Sequence, residues 1–195
     1  MDSYTGPVAP THLDTAALEA SLEHLRAAPA DVGRLDLIVR RPAIGEREVL
    51  DAGELNLDEG LAGDTWNQRG SRRMPDGGPH PDMQLNLIGA RTTRLLGGDD
   101  PAVRALAGDQ LHLDLDLSTA NLPAGTRLSI GDGGAVIEVT DQPHTGCAKF
   151  AARFGAEALR FVNIGEGKDL RLRGINAKVV VPGPIAQGDE VRKLS

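Results

Sequence analysis

Leu111-His112-Leu113-Asp114-Leu115-Asp116-Leu117 alternates apolar and polar residues without a break. A period of two puts the leucines on one face and His112, Asp114 and Asp116 on the other. The segment therefore predicts a strand with one buried and one wet face. Further short strands are predicted at 35–40, 47–51, 54–58, 85–88, 128–130, 136–140, 169–181 and 185–192, with a turn at Gly53 and a bulge at Gly174. Only two substantial helices are expected. In the first, 14–28, Asp14 is the cap, Leu18, Leu22 and Leu25 share a face, and Leu13 staples against Leu18 before Pro29 ends the pattern. The second is 146–163. Shorter helical pieces at 91–107 are broken by Gly97, Gly98 and Pro101. Strands in succession, without regular helix alternation, predict a mainly β, β-rich α+β chain whose antiparallel sheet closes into a barrel or sandwich. They exclude a doubly wound parallel sheet.

A chain of 195 residues suits one domain, and with 3% aromatics its core must be mostly Leu, Val, Ile and Ala. Residues 1–33 are expected to be a helical extension packed on a domain spanning 34–195. Gly-Asp recurs at Gly63-Asp64, Gly108-Asp109, Gly131-Asp132 and Gly188-Asp189, read as turns leading into strands. The polar stretch 67–83 is a long loop, of a length that is usually functional or disordered. The start of the chain lacks the basic and apolar runs of a signal peptide, and no stretch approaches the ~20 apolar residues of a membrane span. One cysteine, Cys147, makes no internal disulfide, so a reduced cytoplasmic setting is expected.

The net charge of −7 argues against a general nucleic-acid binder. It is unevenly spread. Residues 1–66 carry 5 basic and 13 acidic side chains, whereas residues 141–178 carry 7 basic and 4 acidic ones. Cys147 lies in that positive stretch, after the 136–140 strand and in the first turn of the second helix. Free backbone N–H groups and the helix dipole favour a thiolate there. Lys149 and Arg153 add positive charge, and His144, three residues upstream, is placed to donate a hydrogen bond or move a proton. This reading gives a low thiol pKa and a nucleophile, sulfur carrier or soft-metal ligand. The same spacing, with Phe150, Phe154, Ala158 and Phe161, equally describes Cys147 as a small buried hydrophobe on a helix face. A third alternative is a metal or hydrolytic site on the His112, Asp114 and Asp116 face.

Pro143-His144-Thr145-Gly146-Cys147-Ala148-Lys149-Phe150, between Ile137–Thr140 and Arg153-Phe154-Gly155, resembles the cysteine motif of MOSC domains, the molybdenum cofactor sulfurase C-terminal domains. Gly60-Leu61-Ala62-Gly63-Asp64-Thr65-Trp66, the loop from Asp116 to Leu128, Leu170–Gly174 and Gly188-Asp189 resemble other parts of that family, so the likeness covers about residues 34–192. It implies a closed β-barrel with peripheral helices, and a Cys147 that carries sulfur or binds the molybdenum cofactor, with His144 and Thr145 shaping its surroundings. The cofactor's phosphate would need Arg, Lys and backbone donors. Candidate cofactor-binding residues are Ser118, Asn121, Lys149, Arg153, Arg173, Asp64 and Trp66, with the loop arginines Arg69, Arg72 and Arg73 and with Arg171, which shares a predicted strand face with Arg173. Two family elements differ: no His-Gly-Gly is present, and Ser118-Thr119-Ala120-Asn121 stands where Gly-Glu-Asn is usual. The chain has no room for a pyridoxal-phosphate desulfurase domain, which implies a stand-alone MOSC protein. The activities implied are sulfur transfer or molybdenum-dependent reduction of N-hydroxylated compounds, with a cysteine desulfurase or redox protein as partner. The alternative is a non-catalytic pterin- or anion-binding adaptor barrel with a buried structural Cys147.

Overall fold

The computed structural model describes residues 10–71 and 73–194. The chain opens with α1 (Thr15–Ala20) and α2 (Leu22–Arg26), then β1 (Val32–Arg40), β2 (Glu48–Leu50), β3 (Ala52–Asn56) and β4 (Gly60–Leu61). The loop after β4 leads to β5 (Leu85–Gly89), α3 (Ala90–Gly97), α4 (Pro101–Arg104) and β6 (Leu111–Asp114). Next come β7 (Arg127–Ile130), β8 (Ala135–Val139), α5 (Ala148–Phe154), α6 (Ala156–Asn163) and α7 (Glu166–Asp169). The chain closes with β9 (Ile175–Val181), β10 (Gly183–Ala186) and β11 (Glu190–Lys193).

Seven strands form a closed ring in the order β1-β11-β7-β8-β9-β5-β6, returning to β1, so the expected barrel is present. Closure removes the free edges that an open sheet would leave. A separate three-stranded sheet, β10-β3-β4, lies alongside. One pairing departs from the antiparallel expectation: β5 and β6 run parallel. Parallel neighbours need a crossover, which α3 and α4 supply. The barrel interior is filled by aliphatic side chains, among them Leu35, Ile38, Leu87, Leu111, Leu128 and Ile137. A second apolar cluster lies outside the barrel, where Leu18 and Leu25 of the first helices meet Ile88, Phe150, Phe154 and Val162.

Several boundaries differ from the sequence reading, each for a local reason. The first helix breaks at Ser21, whose hydroxyl bonds Leu18 O; its Asp14 cap holds, accepting from Ala17 N. The second breaks at Gly155, which adopts φ 96°, a conformation that stops a helix at little cost only for glycine. In β1 the register shifts between Leu35 and Leu37. That irregularity leaves Leu35 and Ile38 in the barrel, while Leu37 and Val39 pack outside with Ala105. Gly53 lies inside β3 rather than in a turn. β6 ends at Asp114, and His112 on its supposedly wet face is fully buried. Residues 166–173 are helix and turn, not strand, so Arg171 and Arg173 share no strand face. Gly174 precedes β9 at φ 107°, and a Cβ there would sit 2.0 Å from Leu87 O. Among the described residues, no helix is long and apolar enough to cross a membrane.

Candidate functional site

Cys147 stands between the segment that leaves β8 and the start of α5. It is the residue before the helix, with extended backbone, rather than part of the first turn. Its carbonyl accepts from Phe150 N and Ala151 N, and its side chain is exposed. The structure therefore overturns the buried structural cysteine. What burial the thiol has pushes its pKa up. The Phe150 and Lys149 N–H groups and the charges of Arg173 and Lys149 outweigh that and hold it below the ordinary thiol value. The preceding residue is clamped. Gly146 N donates to Asn163 Oδ1 at 2.9 Å, and Asn163 Nδ2 donates back to Gly146 O at 3.2 Å. A Cβ at Gly146 would lie 2.6 Å from Leu159 Cδ1, so a larger residue here would have to displace that side chain of α6.

Behind the cysteine segment, the turn entering β6 gathers cationic side chains from across the chain. Arg153 donates to Leu106 O, Arg41 to Gly108 O, and Arg173 Nη1 to both carboxylate oxygens of Asp109, at 2.9 and 2.8 Å. Asp109 is fully buried. Burial pushes its carboxyl up, but Arg173 and His144 outweigh this and hold it below the usual carboxylate range. His144 Nε2 lies 2.5 Å from Asp109 Oδ1 and 2.8 Å from Arg173 Nη1. Burial and the Arg173 charge lower its pKa against the pull of Asp109, so its imidazole is neutral at neutral pH. His144 thus anchors to Asp109, and among the described residues no hydrogen bond joins it to Cys147. Arg173 also stacks over Phe150, with Cζ 5.0 Å from the ring centroid.

On the other side of the same turn, positive charge is crowded. Arg41 forms a bidentate pair with Asp64, both at 2.8 Å, and reaches Asn86. Arg47 lies beside Gly108, whose Cβ would meet Arg47 Nη2 at 3.1 Å. Burial, then Arg153, Arg41 and Arg69, lower the Arg47 pKa to about 10, with only Asp64 opposing. Its Nε is buried without a hydrogen-bond partner among the described residues. Arg69 donates to Thr65 Oγ1, and Arg73 to Gln142 Oε1, which ties the 67–83 loop to the cysteine segment. Trp66, Arg69, Arg73, His80 and Asn86 line a cavity of about 370 Å³. A second cavity, of about 200 Å³, lies between the 140–145 segment and the 168–175 turn, with Thr145, His144 and Arg173 in its wall.

The other candidates are placed as follows. Asp64 and Trp66 sit together, with Trp66 N donating to Asp64 Oδ1. Lys149 is exposed on α5 beside Cys147. Ser118 and Asn121 are apart from this centre. The Asn121 amide donates to Ala30 O and Asp116 O and accepts from Lys193, while Ser118 Oγ bonds Asp116, so both brace the central loop. Arg72 lies outside the described residues. His112, Asp114 and Asp116 do not converge: His112 bonds Thr93, Asp114 pairs with Arg91, and Asp116 accepts from Ser118 N. Among the described residues, no group of three or more His, Cys, Asp and Glu is placed to hold a metal ion. The sequence reading missed Asp109, Arg41, Arg47 and Asn163. Asp109 had only the Gly-Asp turn signal, and the others none.

The MOSC domain family model matches residues 96–192, from the end of α3 through β11. No curated protein matches the chain. Among solved structures, the YuaD protein from Bacillus subtilis is similar at 16% identity with a TM-score of 0.58, over 84% of this chain and 97% of that one. YiiM from Escherichia coli is similar at 21% identity with a TM-score of 0.52, over 83% of this chain and 70% of that one. These likenesses show the fold. The matched family model, which takes in the strand–cysteine–helix segment, identifies residues 96–192 as a MOSC domain.

Proposed function

We propose that this MOSC protein binds a molybdenum–pterin cofactor, with the Cys147 thiolate as a ligand to the metal. One observation carries the reading: an exposed cysteine with a lowered pKa adjoins a turn that collects more cations than it has carboxylates. The residues present suit such a group. A thiolate is a good ligand for a soft metal centre. The cofactor's phosphate is an anion, and Arg47 offers a buried Nε–H with no partner among the described residues, set among charges that repel one another. Arg47, Arg69 and Arg153 would hold the phosphate, and Trp66 and Arg73 would wall the cavity beside it. When bound, the group supplies two-electron redox or sulfur chemistry at its metal. His144, neutral and bonded to Asp109, fixes the cysteine segment, and the charge of Arg173, held by the same Asp109, favours the thiolate. A desulfurase or redox partner would meet the site at the exposed Cys147.

Metal and pterin analysis of protein purified from a host that makes the cofactor tests this. The wild type is expected to retain both. Cys147→Ala should lose metal, and Arg47→Met should lose metal and pterin together. Equal contents in all three proteins would sink the assignment.

A further inference from the structure

We infer that the 200 Å³ cavity beside the cysteine segment binds a small organic anion, a carboxylate or phosphate, through Arg171 and Lys168. Its role as the substrate's subsite rests on the cofactor reading above; its binding chemistry does not. The cavity shares no lining residue with the one beside Trp66 and Arg69. It is smaller than the roughly 300–1,000 Å³ of drug-sized sites, which suits a compact ligand.

The charge on its wall is unbalanced. Arg173 is already committed to Asp109. Arg171 and Lys168 make no ion pair among the described residues, and the facing carboxylate, Asp141, accepts from Gln142 Nε2. Thr119, Thr140, Thr145 and Asn163 add polar groups around them. The Arg171 guanidinium is half-buried and donates to Leu122 O through Nη1, which leaves most of its five donors unassigned. Burial alone lowers its pKa, as expected of a cation without an acidic neighbour.

The backbone gives a second, independent observation. Arg171 has φ 50°, and among the described residues every other positive φ belongs to glycine. An arginine in this region carries strain that glycine would relieve. The turn is held by bonds on both sides, Leu170 N to Glu166 O, Leu172 N to Gly167 O and Gly174 N to Arg171 O. Backbone strain of this kind persists where surroundings fix it, and it gathers at ligand sites. The side chain, not the backbone, is what this position gains by not being glycine.

Isothermal titration of the full chain with malonate and with inorganic phosphate tests the inference, and the two probes separate the carboxylate from the phosphate. Wild type is expected to bind one of them saturably. Arg171→Gly, which suits the observed φ, and Lys168→Met should each weaken binding, Arg171→Gly by about tenfold or more. Arg192→Met, exposed on β11 and in the wall of neither cavity, should leave it unchanged. No saturable binding to wild type, or undiminished binding to Arg171→Gly, would overturn the inference. So would a fall in retained molybdenum and pterin in Arg171→Gly, because this wall would then belong to the cofactor. Failure of the cofactor reading shows separately, as wild type that retains no metal while the titration stands.

Discussion

Asp109→Asn isolates the buried pair on which the site is built. The amide keeps the carboxylate's shape and removes its charge. Asp109 is fully buried and Arg173 is 8% exposed, so the variant strands a buried guanidinium that had been bonded at 2.9 and 2.8 Å. Breaking one partner of such a pair costs about 3–5 kcal/mol, most of it from the charge left behind. Urea unfolding of Asp109→Asn, Arg173→Met and the double variant would measure this. Each single change should cost about that much, and the double should cost clearly less than their sum, because the second change removes the orphan. The thiol gives an opposite-signed readout. Arg173 lowers the Cys147 pKa, so Arg173→Met should raise it, while Asp109→Asn exposes the thiol to an uncompensated Arg173 and should lower it. Alkylation rate against pH reads both. Additive stability losses, or a thiol that moves the same way in both variants, would refute this account of the pair.

Acid should weaken the fold through His112. Burial lowers its pKa from 6.5 to about 4, so the unfolded chain binds a proton the native chain does not between those values. Stability from this group is intact above pH 6.5 and falls by about 3 kcal/mol by pH 4, at ~1.4 kcal/mol per pH unit. Unfolding midpoints across that range should fall less steeply for His112→Leu, and an unchanged slope would contradict the assignment. Asn163→Leu should unpair Gly146 N–H and C=O, costing about 1–3 kcal/mol. If Asn163 positions the cysteine segment, the same variant raises the Cys147 pKa in the alkylation profile, which a merely structural role would not do.

Much of the frame was legible because its determinants are local. Asp14 caps its helix through a residue three positions on, and the strands from β5 to β8 carry their own apolar patterns. The placement of Cys147 between a strand and a helix was readable for the same reason. What was hidden depends on contacts distant in sequence. The alternation at 111–117 describes a strand with a wet face, yet His112 is buried with its Nδ1 against Thr93 of α3, since the β5–β6 crossover covers that side of the barrel. A strand buried on both faces usually reads as a continuous apolar run, and His112 breaks that pattern. Asp109 bonds side chains 35 and 64 residues away, and Arg41 bonds one 23 residues away, so each looked like ordinary turn or surface polarity.

Charge shows most clearly why a linear reading goes only part of the way. The first 66 residues are strongly acidic, and the positive stretch lies around Cys147. In space the assignment changes. Arg41 and Arg47, two of the five basic residues in that acidic third, stand at the cationic turn, where they meet Arg69 from the loop and Arg153 from α5. Asp64 from the same third neutralises one of them. The acidic surplus of residues 1–66 therefore says little about the potential at the site, which depends on the few charges within a Debye length of about 10 Å and on how deeply each is buried. Cations from both ends of the sequence are held against their mutual repulsion by the barrel, and an incoming anion would relieve that repulsion.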